Sequence, residues 1–193
     1  MALPLNTPCL GLPGLRPEGV FGVVLQMLLK ARLDLRLDTG GHLYEEDVNA
    51  YLGGVLVSYI DPQYLQGIHE VLSKYDMDLH QAIDRAGPDR IRMYRIYKVN
   101  ADDLLVSLGI FHAMQEPRGD LGRIKEYYAC AAECQKRIYG KPTAVAEIQA
   151  KLSESAERYL AVLMQTRREY LQFASQFSSE EWADFSQKIF SLP

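Results

Sequence analysis

Residues 120–152 read DLGRIKEYYACAAECQKRIYGKPTAVAEIQAKL, and this stretch decides the fold. Two segments with apolar residues at helical spacing are separated only by the turn Gly140–Pro142. Glycine and proline end the first helix, and Thr143 can cap the next one. A connection this short predicts that the two helices lie side by side in opposite directions. We therefore expect residues 120–177 to form an antiparallel helical hairpin.

The rest of the chain has the same helical character. Apolar residues recur at spacings of three and four, and no alternating strand or internal repeat is present. Helix boundaries are marked at Pro17, Gly40–Gly41, Asp61–Pro62 and Gly87–Pro88. We predict an all-α, single-domain helical bundle of about seven or eight helices over residues 16–193. Residues 1–15 contain three prolines, which predicts an irregular, extended or mobile N-terminal arm.

Three local patterns give more specific expectations. Residues 89–99 are compatible with a helix or a strand, and Asn100 is expected to cap a separate helix that follows. Thr143 is expected to begin one long helix that reaches Phe177. The sequence SSEE from Ser178 is a capping box, which predicts a last helix near the C-terminus.

Composition limits the class of protein. The 193 residues are 48% hydrophobic and 24% charged, which is typical of a globular chain. The net charge of −4 argues against nucleic-acid binding, because such proteins are usually basic. The longest apolar run, Val20–Leu29, is about half of the ~20 residues that a membrane span needs. The three cysteines are too few for a disulfide framework, and no secretory signal is recognisable, so we expect a cytoplasmic location.

Cys130 and Cys134 are the first candidates for local chemistry, because positions four apart share one face of a helix. Two thiolates can bind one metal ion, but a zinc site needs two further ligands, and none stands at a suitable spacing. A disulfide between adjacent turns of a regular helix is strained. We expect both cysteines to pack as small apolar side chains. A metal site and a redox pair are the alternatives.

No known motif for catalysis or cofactor binding is present. His69–Glu70 begins like the zinc-protease motif HExxH, but Ser73 stands where the second histidine is required. The ExxH pairs of di-iron bundles, phosphate-binding glycine loops and the GxSxG nucleophile motif are also missing. The sequence therefore predicts no catalytic residue, no metal ligand and no cofactor. It leaves open whether the protein is an enzyme.

One short stretch, DRIRMYRIYKVNADD at residues 89–103, reverses the acidic character of the chain. Arginine recognises carboxylates and phosphates, and tyrosine offers a flat stacking surface. The stretch is a candidate binding site for an acidic or phosphorylated partner. Its residues are Arg90, Arg92, Tyr94, Arg95, Tyr97 and Lys98. The alternative is a solvated helix face whose cations pair with neighbouring carboxylates. Those carboxylates are Asp84, Asp89, Asp102 and Asp103.

Two classes of function remain. The first is a helical interaction, scaffold or regulatory protein that binds a protein partner or itself as a homodimer. The second is an enzyme or small-ligand-binding protein with a pocket between helices, built from residues scattered in the sequence. Aromatic residues continue along the predicted C-terminal helices, which favours self-association through residues 120–177 or the last helix, unless the chain's own core covers them. They are Tyr159, Tyr170, Phe173, Phe177 and Trp182.

Overall fold

A computed structural model describes residues 17–37, 46–73, 75–111 and 118–171, and in this part of the chain all regular structure is helical. The predicted all-α class is confirmed. The eight α-helices are α1 Pro17–Asp34, α2 Glu46–Ser58, α3 Pro62–His69, α4 Asp76–Ala86, α5 Arg90–Val106, α6 Arg118–Tyr139, α7 Ala144–Glu154 and α8 Ala156–Glu169. A π-helical segment, Ser107–Phe111, continues α5. The predicted N-terminal arm and the capping box at Ser178 lie outside the described residues.

The turn between α6 and α7 forms as the sequence predicts. α6 ends at Tyr139, and Gly140 adopts a positive φ of 68°, which glycine tolerates without strain. The Thr143 hydroxyl then accepts a hydrogen bond from the Ala146 N–H over 3.1 Å and caps α7. α6 packs against α5 on one side and α7 on the other. Of the described helices, none is long and apolar enough to cross a membrane.

The expected long helix after Thr143 is wrong. Ser155 leaves the helical conformation, with φ −125° and ψ 35°, so α7 and α8 are separate helices. α7 stays beside α6, whereas α8 packs mainly on α1 and the π-helical segment. The change of direction buries Tyr159 and Leu163 completely in the core. Tyr159 is therefore unavailable to a partner. Outside the described residues lie Phe173, Phe177 and Trp182.

The expected helix start at Asn100 is also wrong. α5 begins at Arg90, where Asp89 accepts a hydrogen bond from the Arg92 N–H over 3.0 Å, and it runs without a break past Asn100. The Asn100 side chain is buried and forms hydrogen bonds with the backbone that follows α3. It donates to the carbonyl of Val71 over 2.8 Å and accepts from the N–H of Ser73 over 2.7 Å. A tertiary contact, and not helix capping, places asparagine here.

Candidate interaction surface

The six predicted site residues all lie on α5, but the helix divides them between two sides. Arg90, Arg92 and Arg95 are exposed, whereas Tyr94, Tyr97 and Lys98 are partly buried and face neighbouring helices. Residues three and four apart share a face of a helix, so the tyrosines and the lysine turn inward together. The structure does not bring the six side chains into one site.

The inward side is organised around Asp102, which is fully buried. Lys98 Nζ lies 2.6 Å from its Oδ2, which is an ion pair one helical turn apart. The hydroxyls of Tyr51, on α2, and Tyr128, on α6, each donate to Oδ1 over 2.8 Å. Both carboxylate oxygens therefore have donors, which is what a buried charge requires. The network connects α2, α5 and α6.

Protonation follows from this geometry. Burial, together with the negative charge of Asp102, raises the pKa of the Tyr51 and Tyr128 hydroxyls well above the usual 10. Burial alone would lower the pKa of Lys98, but the Asp102 carboxylate outweighs it, and the pKa of Lys98 is raised. At neutral pH the tyrosines are thus neutral donors and the lysine is charged. Each group provides the hydrogen-bond or charge partner that another one needs, which is typical of a network with a structural role.

Gln149 extends the network on α7. Its side chain is fully buried, and Nε2 donates to the Tyr94 hydroxyl over 3.3 Å. The Gln149 Oε1 atom is buried with no hydrogen-bond partner. On the other flank, the Tyr59 hydroxyl donates to Asp103 Oδ1 over 3.0 Å. Tyrosine hydroxyls thus connect α5 to α2 and α7 on both flanks of Asp102.

The outward side of α5 carries the three arginines. Arg90 Nη1 donates to the backbone carbonyl of Arg137 over 3.2 Å, and Arg95 Nη2 donates to that of Gly67 over 2.8 Å. Both cations lie at helix C-termini, where the exposed carbonyls attract positive charge. No arginine of the three forms an ion pair with a carboxylate of the described residues. Neighbouring acids therefore do not neutralise this face of the helix.

Three of the four carboxylates that the sequence offered as partners have a defined role in the structure. Asp89 caps α5, Asp102 pairs with Lys98, and Asp103 accepts from Tyr59. Pairing within residues 84–103 is thus confirmed for the lysine alone.

The contact between Arg90 and Arg137 brings the beginning of α5 to the end of α6. This end of the molecule, here called the basic end, comprises Arg90, Ile91, Arg92, Lys136, Arg137 and Tyr139. All six are exposed, and the apolar side chains of Ile91 and Tyr139 keep 69% and 61% of their surface accessible. Two carboxylates stand nearby in the sequence: Asp89 caps the helix, and Glu133 Oε1 lies 2.8 Å from Arg137 Nε. That ion pair is exposed on both sides and contributes little.

The cysteine pair lies against α5. Cys134 is buried and Cys130 is partly buried. Burial raises the pKa of both thiols, and Glu126 adds to the effect at Cys130. Burial, with the adjacent cysteines, also raises the pKa of Tyr97 to about 12. A raised thiol pKa means little thiolate at neutral pH, which disfavours redox chemistry and supports packing. Within the described ranges, no three metal-ligating side chains form a cluster.

Sequence reasoning missed four of the six residues of the basic end, namely Ile91 on α5 and three residues on α6. Lys136, Arg137 and Tyr139 come from the end of α6, about 45 positions after the arginines in the sequence. The sequence carried no signal for this pairing, because the predicted hairpin joins α6 to the helix that follows it and not to α5. The chain matches no protein-family model, no curated protein sequence and no solved structure.

Proposed function

We propose that this protein is a helical interaction module that binds an acidic segment of a partner protein at the basic end. One observation carries the proposal. In a chain of net charge −4, four exposed cations and two exposed apolar side chains lie at the adjoining ends of two helices, where Arg90 donates to the carbonyl of Arg137. An interface of this kind combines apolar anchors with charges that orient the partner.

The proposed partner segment contains carboxylates and at least one large apolar residue. Arginine and lysine attract carboxylates over a distance of about 10 Å at moderate salt, which speeds association. Ile91 and Tyr139 then provide the area that is removed from water, which contributes most of the affinity. A phosphorylated segment offers related chemistry, since arginine also binds phosphate. We place the protein in the cytoplasm, the compartment that its cysteine usage favours.

A fluorescence titration tests the proposal with a labelled, glutamate-rich peptide that carries two phenylalanines. The variant to compare is Arg92→Glu with Lys136→Glu, because neither side chain makes a hydrogen bond or ion pair with a described residue. Arg95 is left intact because it holds the carbonyl of Gly67. We expect about tenfold weaker binding by the variant at low salt and a smaller difference at high salt.

The matched control is Arg36→Glu, which reverses an exposed cation just after α1, a helix that packs mainly on α2 and α8. It should bind the peptide nearly as well as the natural chain. A glutamine version of the peptide should bind weakly, and a phosphoserine version shows whether phosphate is preferred to carboxylate. Equal binding by the natural chain and both variants would contradict the proposal, as would tighter binding of single-stranded DNA than of the peptide.

The alternative function, a ligand pocket between helices, has one observation in its favour. Lys98, Asp102 and three tyrosines converge between α2, α5, α6 and α7. Of the side chains around Asp102, however, only Gln149 has a buried atom that lacks a partner. Groups that satisfy one another are poorly suited to binding a substrate, so we favour a structural role for this network.

A further inference from the structure

The chain itself contains a segment of the chemistry that the basic end would bind. Residues 180–185 read EEWADF, with three carboxylates and two large aromatic side chains in six positions. This segment lies outside the described residues. Its carboxylates complement the cations of the basic end, and its aromatic residues suit the exposed Ile91 and Tyr139.

The position of the last described residue indicates which copy the segment can reach. Leu171 follows α8, which packs on α1 and on the π-helical segment at the end of α5. The Tyr170 hydroxyl donates to Asp34 Oδ2 at the end of α1 over 2.6 Å. The basic end lies at the beginning of α5. Leu171 therefore lies near one end of the bundle, and the basic end is at the other.

The length of chain between these points argues against docking within one molecule. α6 has 22 residues and spans about 33 Å between the two ends. From Leu171 to Glu180 the chain covers at most about 32 Å when fully extended, and about 14 Å as a helix. Any helical turn between Leu171 and Glu180, or any detour around the surface, would leave Glu180 short of the basic end of its own chain. A second copy of the protein has no such restriction.

We propose that residues 180–185 of one copy bind the basic end of a second copy, and that two such contacts, exchanged reciprocally, close a symmetric dimer. The inference rests on the proposed function of the basic end and names its partner. The reciprocal arrangement buries the same two surfaces on each copy, as a closed two-fold dimer requires. It also removes the exposed Ile91 and Tyr139 from water in both copies.

A charge-exchange experiment on the full chain tests this dimer by analytical ultracentrifugation. The first variant, Arg92→Glu with Lys136→Glu, reverses the basic end. The second, Glu180→Lys with Glu181→Lys, reverses the segment. Each variant alone should dissociate at least about tenfold more readily than the natural chain, because like charges then face each other. An equimolar mixture of the two should associate again, because both contacts are then complementary.

Circular dichroism first checks that each variant is folded, and the restored association in the mixture excludes loss by misfolding. A dimer that survives either reversal would overturn the inference, since another surface would then hold it. A natural chain that stays monomeric at high concentration would also overturn it. If the glutamate-rich peptide still bound the basic end of that monomer, the proposed function would stand without the dimer.

Discussion

Lys98 and Asp102, one turn apart on α5, form an ion pair with 2.6 Å between Nζ and Oδ2. This contact removes Lys98 from the surface that its arginine neighbours form, and it places a charged group at the junction of α2, α5 and α6. Asp102 also accepts hydrogen bonds from the hydroxyls of Tyr51 and Tyr128. The carboxylate is the common acceptor, so its loss affects three donors.

The first prediction follows from this asymmetry. Asp102→Ala should lower the free energy of unfolding by about 3–5 kcal/mol, because it leaves a partly buried ammonium and two hydroxyls without their acceptor. Lys98→Met should cost only about 1–2 kcal/mol, because Asp102 keeps two hydroxyl donors. Urea denaturation of both variants measures the difference. If the two variants lost equal free energy of unfolding, or if Lys98→Met lost more, the tyrosine hydroxyls would not be stabilising the buried carboxylate.

Gly109 permits the close approach of the π-helical segment to α8. A Cβ atom at this position would lie 2.5 Å from the Cβ of Leu163, an atom fixed to the backbone of α8. Gly109→Ala should therefore lower the free energy of unfolding by about 1–3 kcal/mol through overpacking.

The matched control is Gly122→Ala in α6, where an added Cβ meets nothing within 4 Å. That substitution should raise stability by about 0.5–1 kcal/mol, because alanine favours the helix more than glycine does. Thermal and urea unfolding of the two variants should thus shift in opposite directions. A neutral or stabilising effect of Gly109→Ala would mean that α8 is not packed as closely as described.

Asp76 predicts a specific dependence of stability on pH. Its Oδ1 accepts a hydrogen bond from the Tyr127 hydroxyl over 2.5 Å and lies 2.5 Å from Arg123 Nε. The hydrogen bond from Tyr127, followed by the charge of Arg123, holds the pKa of Asp76 below its usual 3.8 despite partial desolvation. The folded state thus favours the carboxylate more than the unfolded chain does. The resulting stabilisation is present above about pH 4 and is lost as the pH falls through the folded pKa.

Asp76→Asn should therefore be less stable than the natural chain at pH 7, and the two should converge as the pH falls through the lowered folded pKa of Asp76. Asp78→Asn is the control, since Asp78 is an exposed carboxylate in the same helical turn without these contacts. Its effect at pH 7 should be smaller. A constant difference between natural chain and Asp76→Asn across the whole pH range would refute an electrostatic origin.

Local signals in the sequence predicted the parts of the fold that local interactions control. The turn at Gly140 and the cap at Thr143 depend on residues next to them in the chain, and both form as expected. Asn100 and Ser155 depend on distant partners. Asparagine is a good helix cap, but here its side chain serves the segment after α3. Serine is tolerated within helices, and the break at Ser155 follows from the burial of Tyr159 against α1.

In the candidate site, too, local features could be predicted from the sequence and long-range contacts could not. The helical period of α5 is enough to separate Arg92 from Tyr94 and Lys98, so the two-sided arrangement was accessible from the sequence. The contribution of Lys136 and Tyr139 was not, because it depends on which helix ends meet. Which of several nearby donors a carboxylate pairs with likewise depends on the tertiary structure. The sequence presents Asp102 and Asp103 as equal partners for the basic stretch, whereas the fold gives Lys98 to Asp102.

A nuclear magnetic resonance titration of the full chain with the glutamate-rich peptide tests the central claim most directly. The account predicts that amide shifts change at residues 90–92 and 136–141, and that these changes disappear in Arg92→Glu with Lys136→Glu. The amides around Tyr51, Asp102 and Tyr128 should stay unchanged. Shift changes centred on that buried network, or no shift at the basic end at peptide saturation, would contradict an acidic-partner surface at the beginning of α5 and the end of α6.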